Sequence, residues 1–130
     1  MNPRQIVLDT TVLIDALRNR NQRRAFLAGL AASGQELLTS TICIAEVYSG
    51  LRPGEELATQ AFLSALECIP VSPAIAERAG KMKADLRRQG QTRSITDMIV
   101  AATALENGLP VATDNRKHFE LPGLTLLPLP

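Results

Sequence analysis

Apolar positions along this chain fall into two rhythms. Short, strand-length runs lie at Gln5–Leu8, Glu36–Thr39, Cys68–Val71 and Pro110–Thr113. Short apolar runs bearing Val and Ile suit strands buried on both faces. Longer stretches with helix signals separate them. A helix is expected over Thr11–Asn19, and a second over Asn21–Ala32 with Gly34 as its stop. Ser40 or Thr41 can cap a third that runs to Ser49, where Gly50 and Pro53 end it. A fourth covers Glu55–Leu66. Pro73 opens a long fifth, in a first turn where its missing N–H costs nothing, and Gly90 follows the end at Gln89. Ser94 caps a sixth that ends near Asn107-Gly108, and Leu124–Leu127 is a candidate fifth strand. This alternation predicts an α/β domain built on a central, mostly parallel sheet of four to five short strands flanked by helices. No internal repeat or low-complexity linker divides residues 1–130, so a single domain is expected. Sites in such sheets form beyond the carboxyl ends of the strands. Asp9 and Asp114 lie at two of those ends.

Composition narrows the class. Apolar residues make up 45% of the 130, enough for a sizeable core. A net charge of +1 excludes a strongly basic nucleic-acid-coating protein and a polybasic membrane binder, though not a small basic patch beside an acidic site. Cys43 and Cys68 stand in apolar settings with no metal-type spacing, as expected of free thiols in a reducing compartment. Met1–Gln5 is followed by only three apolar residues before Asp9, so no signal peptide is expected. No apolar run approaches the roughly 20 residues of a membrane span. A soluble, cytoplasmic protein is the expectation.

Four carboxylates fit poorly with the apolar pattern. Asp9, in "IVLDTTVLID", can cap the next helix or serve a site. Glu46 lies in "TICIAEVYSGL", a helix apolar nearly all round. A carboxylate there faces solvent through a gap, meets an arginine, or binds a cation. Asp97, three residues after Ser94, can complete a shortened capping box at a positive helix end, or be held there for chemistry. Asp114 can be a turn residue in "TDN", as can Asn115. Like charges gathered in a poorly solvated cleft are unfavourable without a cation. A set of oxygen ligands without Cys or His favours Mg²⁺ or Mn²⁺ over zinc.

"IVLDTTVLID", the central "AEVYSGL" and "SITDMIVAATALENGLPVATDNRKHFE", with the tail "FELPGLTLL", resemble the PIN-domain family. Within that family they are similar to the VapC-type toxins of bacterial toxin–antitoxin pairs. The resemblance spans essentially the whole chain. It implies a Rossmann-like α/β fold and a Mg²⁺-dependent endoribonuclease, with Mn²⁺ able to substitute. It carries an acidic site onto Asp9, Glu46 and Asp97. The fourth position falls on Asp114 or Asn115, because the family places an Asp or Asn two residues after the threonine, which here is Asn115. Thr11 stands where the family often has asparagine. The resemblance also implies a homodimer neutralised by a cognate antitoxin, whose tail lies in the active-site groove and which alone contacts DNA. Helices Asn21–Ala32 and Glu55–Leu66 are candidate contact surfaces.

Hydrolysis of an RNA phosphodiester by such a site needs carboxylates to hold the metal, which lowers the pKa of a bound water and neutralises charge on the phosphate. Asp9 and Asp97 are the expected direct ligands, with Glu46 and Asp114 beside them. Thr10, Thr113 and Asn115 are expected to support them through hydrogen bonds. His118 in "RKHFE" reads as a surface or structural residue. Lys81, Lys83, Arg87, Arg88 and Arg93 cluster before Asp97, and Arg116 and Lys117 follow Asp114. They are either a solvated face or RNA phosphate contacts.

Three other functions share parts of this pattern. A phosphatase of the haloacid-dehalogenase type needs a second aspartate two residues after the first, where Thr11 stands. A phospho-receiver module needs an acidic pair after the first strand and an aspartate after the third, and "CIPVSP" has none. A catalytically silent PIN-fold binding module would retain the fold without metal binding.

Overall fold

The computed structural model describes residues 4–130. The expectation drawn from Met1–Gln5 about a leader segment therefore lies largely outside the described residues. The chain runs β1 (Gln5–Leu8), α1 (Thr10–Leu17), α2 (Arg23–Ala32), β2 (Glu36–Ser40), α3 (Thr41–Ser49), α4 (Glu56–Ser64), β3 (Glu67–Ile69), α5 (Pro73–Arg88), α6 (Ile95–Asn107) and β4 (Val111–Ala112), then a 3₁₀ turn at Arg116–Phe119. The strands form one sheet in the order β3-β2-β1-β4, every pair parallel. Val7 faces Leu38 on one side and Val111 on the other. β1 is thus interior, and Ile6, Val7 and Leu8 are wholly buried. That is why its sequence is a continuous apolar run rather than an alternating one.

The helices begin where local chemistry starts them. Asp9, Ser40, Ser72 and Ser94 each accept a backbone N–H of the first turn that follows, which satisfies donors a helix end otherwise leaves open. Gly108 closes α6 at φ 64, a left-handed backbone that glycine adopts without strain. α6 is the inner helix. Met98, Val100, Ala101, Ala102, Thr103 and Ala104 are all fully buried, and its small side chains let α5 pack closely through Ile75 and Ala79. Phe119, from the 3₁₀ turn, joins the main core with Val12, Leu13 and Val111.

Three sequence expectations shift. The second helix begins at Arg23 instead of Asn21, because Asn21 and Gln22 take left-handed backbone (φ 53 and 56). The third strand covers Glu67–Ile69, ending before Pro70. The fifth strand at Leu124–Leu127 is not formed as a strand. Leu126 makes one isolated parallel bridge with Val111, through Val111 N–H to the Thr125 carbonyl and Leu127 N–H to the Val111 carbonyl. Pro122 and Pro128 lack the N–H donors that a longer ladder needs. Among the described residues no helix is long and apolar enough to cross a membrane.

Candidate active site

Asp9 sits at the carboxyl end of β1, where its backbone N–H is tied to the Ala112 carbonyl at the end of neighbouring β4. The carboxylate is only 2% exposed. One oxygen accepts the Thr10 N–H at 2.7 Å, the cap of α1. The other accepts two hydroxyls, Thr113 at 2.7 Å and Thr11 at 3.1 Å. Capping is therefore real, but it accounts for one oxygen only. Burial holds the Asp9 carboxyl above its ordinary pKa. The Thr113, Thr10 and Thr11 hydrogen bonds oppose that rise, and the charge of Asp97 adds to it.

Thr10 points its hydroxyl elsewhere, to Glu46 Oε1 at 2.6 Å. This bond joins the end of β1 to the half-buried Glu46 on α3. Among the described residues neither Asp9 nor Glu46 forms an ion pair. The arginine considered for Glu46 is not there.

Asp97 lies in the first turn of α6, its backbone N–H held by Ser94 Oγ at 3.1 Å. Its side chain is 14% exposed and meets His118 Nδ1 at 2.9 Å. The serine does the capping, and the aspartate is left for other contacts. His118, read from sequence as a surface or structural residue, is half exposed and is brought to Asp97 by the 3₁₀ turn. That turn is pinned by buried Phe119 and by Arg93, which donates to the Lys117 carbonyl at 3.4 Å.

The fourth position separates from the others. The Asp114 carboxylate pairs with Arg23, a residue only 3% exposed. Its backbone N–H donates to Thr11 Oγ at 3.3 Å, and the Asn115 N–H donates to Thr113 Oγ at 3.0 Å. The loop thus braces the two threonines that hold Asp9. Arg23 was invisible in the sequence, where its one oddity is a cation at the positive end of a helix.

The basic cluster is partly spent on local partners. Lys81 pairs with Glu77, Arg88 with Asp85, Lys83 with the Arg93 carbonyl, and Arg116 with the Leu127 carbonyl at 3.2 Å. Arg87 and Lys117 have no side-chain ion pair among the described residues. Cys43 and Cys68 are free thiols, and burial raises Cys43 above the usual range.

The donors at this sheet edge are carboxylates and hydroxyls, the set suited to a hard divalent ion. Among the described residues no three Asp, Glu, His or Cys side chains stand close enough to form a ready cage. The fit therefore rests on the donor chemistry. A buried, hydrogen-bonded carboxylate is faced by a second carboxylate charge, with no arginine or lysine salt-bridged to it.

A short-stranded parallel α/β sheet with a buried aspartate at its carboxyl edge and a second carboxylate charge near it defines a class. The chain belongs to the PIN domain family, whose pattern matches residues 6–124. Two curated relatives are named as ribonucleases. Ribonuclease VapC10 of Mycobacterium tuberculosis is 33% identical over 116 residues, spanning 89% of this chain and 86% of that protein. Ribonuclease VapC19 of the same organism is 30% identical over 115 residues, spanning 88% and 92%. Among solved structures, VapBC2 from Rickettsia felis, bound to a DNA fragment from its promoter, superposes with a TM-score of 0.81. It has 25% identity and covers 95% of this chain and 97% of that one. A toxin–antitoxin complex from Klebsiella pneumoniae gives 0.75 at 29% identity, covering 92% and 95%.

Proposed function

We propose that this protein is a cytoplasmic, Mg²⁺-dependent endoribonuclease, the toxin of a toxin–antitoxin pair. The observation that carries the reading is Asp9. It is a carboxylate 2% exposed, held above its ordinary pKa by burial and by the charge of Asp97, where a bound cation offsets the cost of ionisation. The names of the VapC relatives support the substrate class.

Asp9, Asp97 and Glu46 would hold the ion, with Mn²⁺ able to take its place. A bound Mg²⁺ supplies a water of lowered pKa and neutralises phosphate charge. The protein's own groups do the rest. Thr113 and Thr11 fix one oxygen of Asp9, Thr10 orients Glu46, and His118 fixes Asp97. Arg87 and Lys117, without a side-chain partner among the described residues, are the cations left to receive RNA phosphates, since Arg88, Arg93 and Arg116 are engaged locally.

A cognate antitoxin would seat an apolar segment in the groove of about 570 Å³ between α2 and α4, lined by Leu27, Ala28, Ala31, Phe62 and Leu66. DNA contact in the pair would belong to the antitoxin, and the toxin would act as a homodimer.

The test is cleavage of a transfer-RNA pool and a long structured RNA by the purified chain, in Mg²⁺, in chelator, and with Asp9→Asn. Cleavage that needs both the metal and Asp9 supports the reading. Equal cleavage by Asp9→Asn identifies a contaminant. No cleavage together with no Mn²⁺ binding leaves a silent binding module.

A further inference from the structure

We propose that Arg23 is a positioning residue for the Asp9 carboxylate, acting through Asp114, and that Asp114 serves as its anchor instead of as a fourth metal ligand. This rests on the nuclease reading above. Arg23 is the first residue of α2, yet its side chain is only 4% exposed. One terminal nitrogen donates to the Asn21 carbonyl at 3.0 Å and to the Pro130 carbonyl at 3.2 Å. The other holds the Asp114 carboxylate. Its Nε lies 4.0 Å from Asp15 of α1, and forms no hydrogen bond.

A cation at the amino end of a helix opposes the helix dipole. A buried guanidinium also gives up its hydration. The approach to it is strained as well. Asn19, Asn21 and Gln22 have φ of 52, 53 and 56, a left-handed region that is unfavourable for a glutamine. Helix stability does not explain this placement, whereas the bonds beyond Asp114 do.

With Asp114 held, its N–H meets Thr11 Oγ, and the next residue's N–H meets Thr113 Oγ. Those two hydroxyls donate to the same oxygen of Asp9. Asp15, the other acidic neighbour of Arg23, lies one helical turn after Thr11 on the same face of α1. Arg23 therefore ties together both supports of Asp9, one on α1 and one after β4. The ion pair also neutralises Asp114, which leaves Asp9, Glu46 and Asp97 as the charges facing a cation.

The two roles for Asp114 predict opposite signs for Arg23→Met. If Asp114 is a ligand, freeing it from Arg23 holds or tightens Mn²⁺ binding. If it is an anchor, binding weakens, by about 10-fold, the low end for groups that orient a ligand through another residue. The experiment is Mn²⁺ titration followed by electron paramagnetic resonance on the whole chain, for wild type, Arg23→Met, Arg23→Lys, Asp114→Asn and the Met/Asn double variant. Circular dichroism establishes the folded fraction of each. RNA cleavage is split into kcat and KM.

The expected result is weaker Mn²⁺ binding and lower kcat at near-constant KM in Arg23→Met. Arg23→Lys, which keeps a cation on Asp114, recovers most of both. The double variant is no worse than Arg23→Met alone. A folded Arg23→Met with unchanged or tighter Mn²⁺ binding overturns the inference and leaves the nuclease reading standing. Wild type that binds no Mn²⁺ overturns both. Should Arg23→Met fail to fold, Asp114→Asn carries the test. As an anchor acting through Asp9, its loss is partial and does not add to that of Asp9→Asn, whereas a ligand's loss matches that of Asp97→Asn, and that match overturns the inference.

Discussion

Thr113→Val asks whether the hydroxyl on Asp9 acts through charge or through packing. Thr113 is wholly buried at the end of β4. Its hydroxyl donates to Asp9 at 2.7 Å and accepts the Asn115 N–H at 3.0 Å. Valine keeps the shape and removes both bonds. A hydrogen bond to a charged group contributes about 1.5–3 kcal/mol, and a neutral one about 1 kcal/mol. Asn115 is exposed, so water can take up its N–H at small cost. The loss at neutral pH should be about 2 kcal/mol, roughly 6–10 °C in Tm for a chain of this size.

The pH dependence carries the discrimination. Burial already lifts the Asp9 carboxyl above its unfolded-state pKa, and the Thr113 bond is the largest influence pulling it back. A raised carboxyl costs no stability below the unfolded-state pKa of about 3.9, and its full cost is felt above the folded-state pKa. Removing the bond raises the folded pKa further. The Tm gap between wild type and Thr113→Val should therefore be widest near about pH 8 and shrink as pH falls through the carboxylate range, leaving the smaller neutral contribution near about pH 3. Thermal melts across that range, with Thr113→Ser as the control that restores the hydroxyl, measure it. A gap of constant size from pH 8 to pH 3 would refute the electrostatic account and assign Thr113 to packing.

Asp97→Asn should abolish RNA cleavage while holding or raising Tm, because the Asp97 charge is one of the influences raising the Asp9 carboxyl. Gross unfolding of that variant in a thermal melt would mean the side chain is structural. Ser94→Ala removes the cap on the Asp97 N–H and should cost about 1 kcal/mol in denaturant titrations. Ala28→Glu, which places a charge in the α2–α4 groove, should weaken antitoxin binding at least about tenfold in a pull-down titration while RNA cleavage by the free chain is retained.

Features set by neighbours in sequence were readable in advance. The apolar runs of β1 and β2, the serine caps at Ser40 and Ser94, Pro73 at the start of α5 and Gly108 after α6 each act over one or two turns. The limits of the unformed fifth strand were local too, since Pro122 and Pro128 leave a single bridge to Val111 where the apolar pattern alone suggested a ladder. The four acids were legible by position, and Thr10 and Thr113 as hydroxyl supports, but not which acid each supports, nor the histidine on Asp97 and the arginine on Asp114. Asp9 receives two hydroxyls and an N–H, Glu46 one hydroxyl, Asp97 a histidine and Asp114 an arginine. Apart from Thr10 and Thr11 on Asp9, those partners come from contacts across as many as 104 residues of separation, to which no periodicity or spacing rule applies. The same distance effect misplaced the basic residues. Lys83 and Arg93 look from sequence like two free cations, yet one donates to the other's carbonyl and the second braces the turn carrying His118. The fold treats four similar carboxylates differently: Asp9 is buried under hydroxyl donors with the Asp97 charge near it, Glu46 takes the Thr10 hydroxyl, and Asp114 is tied to a buried guanidinium. The electrostatics of the edge follow from that division more than from the number of acids in the sequence.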